Sequence, residues 1–204
     1  MTTINSILIA DGSSDRMLIP ILQMLLSELS PSSAFTDIIF YPARAVSLSE
    51  RVAQAVTKYP CDILFVHRDA ENQAADLRYA EINASRPKLN GQKLVSVVPV
   101  RMTEAWLLVV PDAIRKSVGN NDKNVRLGLP ELKKIETCDA KLHLDQALIS
   151  AVNLNSRRRR KFRPEEYRTR VAELLTNLDP LRKLPSFVRL ETDLKAALSA
   201  RIVQ

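Results

Sequence analysis

Ile63-Leu64-Phe65-Val66-His67-Arg68-Asp69-Ala70-Glu71 is an apolar run of strand length that stops abruptly in charge. Two other stretches repeat the pattern: Ile7-Leu8-Ile9-Ala10 ends in Asp11, and the run from Leu94 to Val100 is followed by Glu104. Short apolar runs of this kind bounded by turn residues read as strands. Asp37-Ile38-Ile39-Phe40-Tyr41, with β-branched and aromatic residues, reads as a fourth, weaker strand.

Helical spacing fills the gaps. From Asp15 to Leu29, Met17, Leu18, Ile21, Leu22, Leu25, Leu26 and Leu29 fall on one face, with Ser13 or Ser14 as N-cap. From Ser47 to Lys58, Leu48, Val52, Ala55 and Val56 point inward, and Ser47 with Glu50 three residues on forms a capping-box pattern. Alternating strands and helices imply right-handed βαβ crossovers, hence an α/β fold built on an open parallel sheet of about four strands. The order 2-1-3-4 makes strands one, three and four neighbours. This domain is expected over residues 1–115. After Pro111 no further strand is evident, and Pro130, Pro164, Pro180 and Pro185 punctuate short helical segments, so residues 116–204 are expected to form a helical extension packed on the domain. Its candidate helices are Pro130–Glu136, Leu142–Asn153, Pro164–Asn177 and Phe187–Ala200.

Composition narrows the functional classes. With 204 residues and 46% hydrophobic content the chain has ample material for a core. The opening residues lack a charged leader pattern, and the apolar stretch Ala105 to Val110 is far short of the ~20 residues that span a bilayer, so a cytoplasmic, non-membrane protein is expected. Cys61 and Cys138 have no CxxC partner or nearby histidine pair, which argues against a zinc site or disulfide framework and for reduced thiols. Only four glycines are present, and no GxGxxG or Walker-type phosphate loop. The net charge of +7 suits a polyanionic partner. Its densest focus is Arg157-Arg158-Arg159-Arg160-Lys161, a candidate phosphate-binding patch, whereas the acidic strand ends lie in the first half.

In an open parallel sheet the carboxyl ends of the strands share one crevice. Asp11, Asp69, Glu71 and Glu104 are therefore expected to converge there, with Asp69 and Glu71, two apart in extended chain, facing the same side. Hard divalent cations choose oxygen ligands, and Mg²⁺ keeps water and substrate phosphate in its shell beside one or two carboxylates. Arg68 and Arg101 flank the acids and are candidate phosphate ligands, or partners of the same carboxylates. Each feature also has an ordinary reading: Asp15 beside Gly12 serves the helix dipole, Glu104 is a first-turn acid with Thr103 as cap, and His67 and Lys141 are structural or solvated.

Ile9-Ala10-Asp11-Gly12-Ser13-Ser14-Asp15-Arg16, Leu64-Phe65-Val66-His67-Arg68-Asp69-Ala70-Glu71 and Val100-Arg101-Met102-Thr103-Glu104-Ala105-Trp106-Leu107-Leu108 together resemble the TOPRIM-like bacterial family catalogued as domain of unknown function 4276. The resemblance extends through Glu136, Asp139-Ala140-Lys141, Lys161-Phe162, Asp179-Pro180-Leu181-Arg182 and Pro185-Ser186-Phe187. It implies a TOPRIM-like fold, in which a glutamate after the first strand does acid–base or metal work and an acidic D-x-D after the third binds Mg²⁺. Carried across, the first position falls on Asp11 and the pair on Asp69 and Glu71. Asp11 is one methylene shorter than glutamate and Glu71 one longer than aspartate, which moves the ligand oxygens by roughly a bond length in a shell that tolerates little distortion. The resemblance implies a Mg²⁺- or Mn²⁺-dependent phosphodiesterase or nuclease in bacterial anti-phage defence, with Asp11 and Glu104 in catalytic roles. Its alternative is a non-catalytic nucleic-acid-binding or adaptor subunit beside an ATPase.

Overall fold

The computed structural model describes residues 3–42, 46–152 and 161–199. Six strands are present among them. Two very short ones, β1 (Thr3–Ile4) and β3 (Ala34–Phe35), pair with each other. The main sheet is wholly parallel and runs in the order β4 (Ile39–Pro42), β2 (Ser6–Ala10), β5 (Ile63–His67), β6 (Lys93–Val97). Register is unbroken, with Leu8 opposite both Phe40 and Phe65, and Phe65 opposite Val95.

Side-chain alternation splits the sheet between two cores. Leu8, Ala10, Ile63, Phe65, Val95 and Val97 join one cluster, whereas Ile7, Ile9, Leu64, Val66 and Leu94 join the other. The second is covered by α2 (Leu48–Lys58) through Leu48, Val52 and Ala55, and by α3 (Ala75–Asn83) through Tyr79 and Ile82. The first is covered by α1 (Leu18–Leu29) and by the whole C-terminal half: α4 (Glu104–Leu107), α5 (Pro111–Ser117), α6 (Ala140–Ala151), α7 (Arg168–Glu173) and α8 (Pro185–Ser199). The C-terminal helices thus share one continuous core with the sheet and α1. Both central strands are buried on each face, which is why they read as uninterrupted apolar runs.

Several boundaries differ from expectation for identifiable reasons. The helix expected from Asp15 opens as a 3-10 turn, Ser13–Met17, in which Asp15 accepts the Gly12 N–H at 2.8 Å; α1 proper begins at Leu18, with Pro20 in its first turn, where no N–H is needed. The last strand stops at Val97, before Pro99, which has no N–H for a ladder. Of the expected helix over Pro130–Glu136 only a 3-10 turn, Leu132–Lys134, forms, and Pro164–Asn177 divides into a 3-10 turn and α7. The Ser47–Glu50 capping box is present, with Ser47 N–H donating to Glu50 Oε2 at 2.9 Å and Glu50 N–H to Ser47 Oγ at 3.3 Å. Cys61 and Cys138 are unpaired and partly buried.

Trp106 connects the two halves near the strand ends. Fully buried, it donates from Nε1 to Ser186 Oγ at 2.8 Å and meets the Phe187 ring edge-to-face at 5.3 Å, fixing α4, and with it Glu104, against α8. No helix among the described residues is long and apolar enough to cross a membrane.

Candidate functional site

The parallel ladder does not end with the strands. Arg68 N–H donates to Val97 O at 3.1 Å, Ala70 N–H to Pro99 O at 3.1 Å and Glu71 N–H to Arg101 O at 2.9 Å, so the loops leaving β5 and β6 are zipped together. At the last rung Glu71 and Arg101 both turn left-handed, with φ of +54° and +64°. Non-glycine residues adopt this conformation at a cost of order 1 kcal/mol and are held there by surrounding bonds. The turn breaks the expected alternation. Asp69 goes inward, whereas the Glu71 side chain is 71% exposed and has Arg78 Nη2 as its nearest cation at 3.7 Å.

A polar cleft of about 170 Å³ opens over these ends, lined by Asp11, Gly12, Ser14, Asp15, His67, Arg68, Asp69, Glu71 and Arg78. Its floor is the buried imidazole of His67. Nδ1 lies 3.1 Å from Val97 O, which can only accept, so Nδ1 carries the hydrogen and Nε2 faces the cleft. Nε2 is 3.6 Å from Asp69 Oδ1, 3.8 Å from Asp15 Oδ1 and 3.4 Å from Thr103 Oγ1. Burial is the main cause that pushes the Asp69 carboxyl up to about 6; the negative charges of Asp15 and Glu104 add to the rise, while His67 and a hydrogen bond from Thr103 oppose it. Thr103 occupies the N-cap position of α4 as expected, but its Oγ1 makes no cap bond to the helix and instead donates to Asp69 Oδ1 at 3.3 Å.

The four expected carboxylates do not form one metal shell. Among the described residues no three His, Cys, Asp or Glu side chains gather closely enough to hold a metal ion by themselves. Arginines interpose. Asp11 receives Arg51 Nη1 at 2.7 Å and has Arg68 Nε at 3.5 Å. Glu104 is not in the cleft lining; its carboxylate turns to Arg168 Nη1 at 3.4 Å and reaches Asp69 only through its field. What the cleft does bring together is smaller: Asp69 and Asp15, two hard oxygen donors whose Oδ1 atoms each lie within 3.8 Å of the same His67 nitrogen. Excess negative charge around a buried carboxyl is what a divalent cation would relieve.

Of the expected phosphate ligands, Arg68 lines the cleft, between Asp11 and Glu81 Oε1 at 3.5 Å. Arg101 does not; its guanidinium donates to Thr137 O at 2.9 Å and Asn72 Oδ1 at 3.2 Å, bracing the left-handed turn. Arg157, Arg158, Arg159 and Arg160 lie outside the described residues, and Lys161 is exposed. Four participants escaped the sequence reading: Asp15 as a cleft acid, Arg51 and Arg78 on α2 and α3, and Arg168 on α7. Gly12 followed by Asp15 at capping-box spacing was the available signal for the first; the arginines depend on helix packing that no local pattern encodes. No protein-family model, no curated protein and no solved structure matches the chain.

Proposed function

We propose that the chain is a TOPRIM-like, Mg²⁺- or Mn²⁺-dependent phosphodiesterase acting on nucleic acid, in the setting of bacterial defence. One observation carries the reading: Asp15, His67 and Asp69 meet at the carboxyl ends of adjacent parallel strands, with Arg68 and Arg78 at the mouth of the same cleft. The order of the four sheet strands and the acidic residues following β2 and β5 support it. Asp69 and Asp15 are the residues that would hold the metal, with Asp11 and Glu71 at the rim. Bound there, the ion would neutralise charge on phosphoryl oxygens. Arg68 and Arg78 orient a phosphodiester by forked hydrogen bonds. His67, anchored to Val97 O, fixes Nε2 between the two acids, and Thr103 keeps Asp69 oriented.

Incubation of plasmid and single-stranded substrates with Mg²⁺ or Mn²⁺ tests this directly. Asp69→Ala is expected to slow cleavage about 10²-fold or more, the scale for losing one group that stabilises transition-state charge. Cleavage that survives both the substitution and chelation would come from a contaminant and defeat the proposal. Arg157 to Lys161 are proposed to bind phosphates of the nucleic acid: exchanging them for Gln should flatten the dependence of log K on log salt, on duplex DNA, by about 0.9 for each phosphate they neutralise. An unchanged slope would leave the run without that role.

A second reading rests on the arginine partners of Asp11 and Glu104, which need no metal to satisfy them. In it the chain binds nucleic acid without cutting, as an adaptor to an ATPase. Retained DNA binding, with no hydrolysis of any substrate under either metal, selects this reading.

A further inference from the structure

On the other side of the sheet edge, α3, the outer strand β6 and α8 enclose a groove of about 460 Å³, within the range of roughly 300–1,000 Å³ typical of small-molecule sites. The geometry points to a second binding site there, for a small phosphorylated molecule, independent of the strand-end cleft and of the function proposed for it.

Charge is the first argument. Arg86, Lys93 and Arg189 line the groove against the single acid Asp193. Arg86 uses Nε on Asn83 Oδ1 at 2.8 Å and Nη2 on Leu94 O at 3.5 Å, so its guanidinium is held against the strand edge with Nη1 to spare. The Lys93 ammonium has no partner among the described residues. Arg189 lies over the Tyr79 ring, 3.4 Å from its centroid, and is steadied by Asp76 at 2.9 Å. Two guanidinium groups, each tethered by a neighbour, and a lysine suit phosphate oxygens better than one carboxylate does, because each planar fork can offer two parallel donors.

The second argument is an excess of donors. Tyr79 is only 6% exposed, and its hydroxyl has no hydrogen-bond partner among the described residues. Burial pushes this phenol up to about 12, so it is protonated at neutral pH and able to donate. The strand adds more. Lys93 N–H donates to Asp62 O and Val97 O accepts from Arg68 N–H, so odd-numbered residues of β6 face β5. Leu94 and Ser96 therefore turn their backbone N–H groups outward, toward the side on which they line the groove. A buried hydroxyl without an acceptor is costly, and an oxygen-rich anion answers it, with the outward N–H groups of the strand beside it.

Calorimetric titration of the full chain with inorganic phosphate, AMP and adenosine tests the assignment. Phosphate and AMP should bind, AMP more tightly because it fills the groove, and adenosine should not. Arg86→Gln combined with Lys93→Gln should weaken AMP binding at least about tenfold, and Tyr79→Phe, which keeps the ring under Arg189, should weaken it measurably. Asp193→Asn should tighten it. Arg68→Gln with Arg78→Gln, in the other cleft, should leave intact the AMP binding that the groove variants remove. No heat at millimolar phosphate or AMP, binding indifferent to the groove variants, or binding lost with Arg68 and Arg78 would each overturn the proposal.

Discussion

In the C-terminal half, Arg168 grips Asp145 with Nε and Nη2 at 3.0, 2.8 and 2.7 Å while Nη1 reaches Glu104 at 3.4 Å, and Arg182 joins Glu28, Asp179 and Glu191. Each of these acids meets an arginine. At the strand ends, a short way along the same chain, Asp69 has an imidazole at 3.6 Å and a threonine hydroxyl at 3.3 Å, with Asp15 and Glu104 close enough to raise its carboxyl. The first arrangement closes its charges by geometry and holds helices together. The second leaves negative charge in a partly buried place, a cost a fold sustains where that charge is used. Glu104 belongs to both, bonded into the first and felt by the second.

The largest effect should come from opening the closed network. Arg168→Ala would strand Glu104, with a side chain 10% exposed, beside Asp145, and removal of one partner from a buried ion pair costs about 3–5 kcal/mol. Urea unfolding at pH 7 measures it; a loss below about 1 kcal/mol would show that the network is no more than a surface pair.

The open side should respond in the opposite sense. A carboxyl raised from 3.8 to about 6 binds its proton more tightly in the folded state, so its contribution to stability is full at low pH and is lost as pH rises through the folded value. By that linkage the rise amounts to about 2–3 kcal/mol for this mostly buried group. Asp69→Asn, which cannot ionise, should match wild type near pH 4, gain on it between pH 4 and 6, and remain more stable by about that amount at pH 7. Parallel stability curves for the two proteins would mean that Asp69 is solvated like any surface acid.

The contrast was only half visible in the sequence. Ile7 to Ala10 and Ile63 to Val66 announced central parallel strands because burial on both faces leaves no polar residue in either. Asp11 and Asp69 were located for the same reason, as the first acids after those runs. Asp15 does accept a backbone N–H, as a helix-dipole acid would, but its other oxygen turns to His67, a partner 52 positions away in the chain. Extended backbone would aim Glu71 to the same side as Asp69, but the left-handed turn at Glu71 intervenes. Arg51, Arg78 and Arg168 are helix residues whose direction follows from how three separate helices pack, which is a long-range property. Among the cleft acids Asp11 and Asp69 were legible as strand-end residues; Asp15 as a cleft acid, and the helix arginines that pair with the neighbouring carboxylates, were not.

The smallest effect sharpens the comparison most, because it asks whether the two regions feel each other. Both Asp15 and Glu104 raise the Asp69 carboxyl, Asp15 the more strongly, while burial remains the leading cause. Asp15→Asn and Glu104→Gln should therefore each lower the Asp69 titration midpoint, the first by more than the second, and neither should return it to 3.8. Carbon-13 NMR of the Asp69 carboxyl across the acid and neutral range reads this directly. Glutamine keeps the shape of Glu104 and an oxygen for Arg168, so a shift in Asp69 would report lost charge and not a moved helix. If Glu104→Gln leaves the midpoint where it was, Arg168 neutralises Glu104 completely, and the closed network is electrically silent toward the cleft. If the shift matches that of Asp15→Asn, Arg168 screens almost nothing, and Glu104 acts on the cleft as strongly as an acid that lines it.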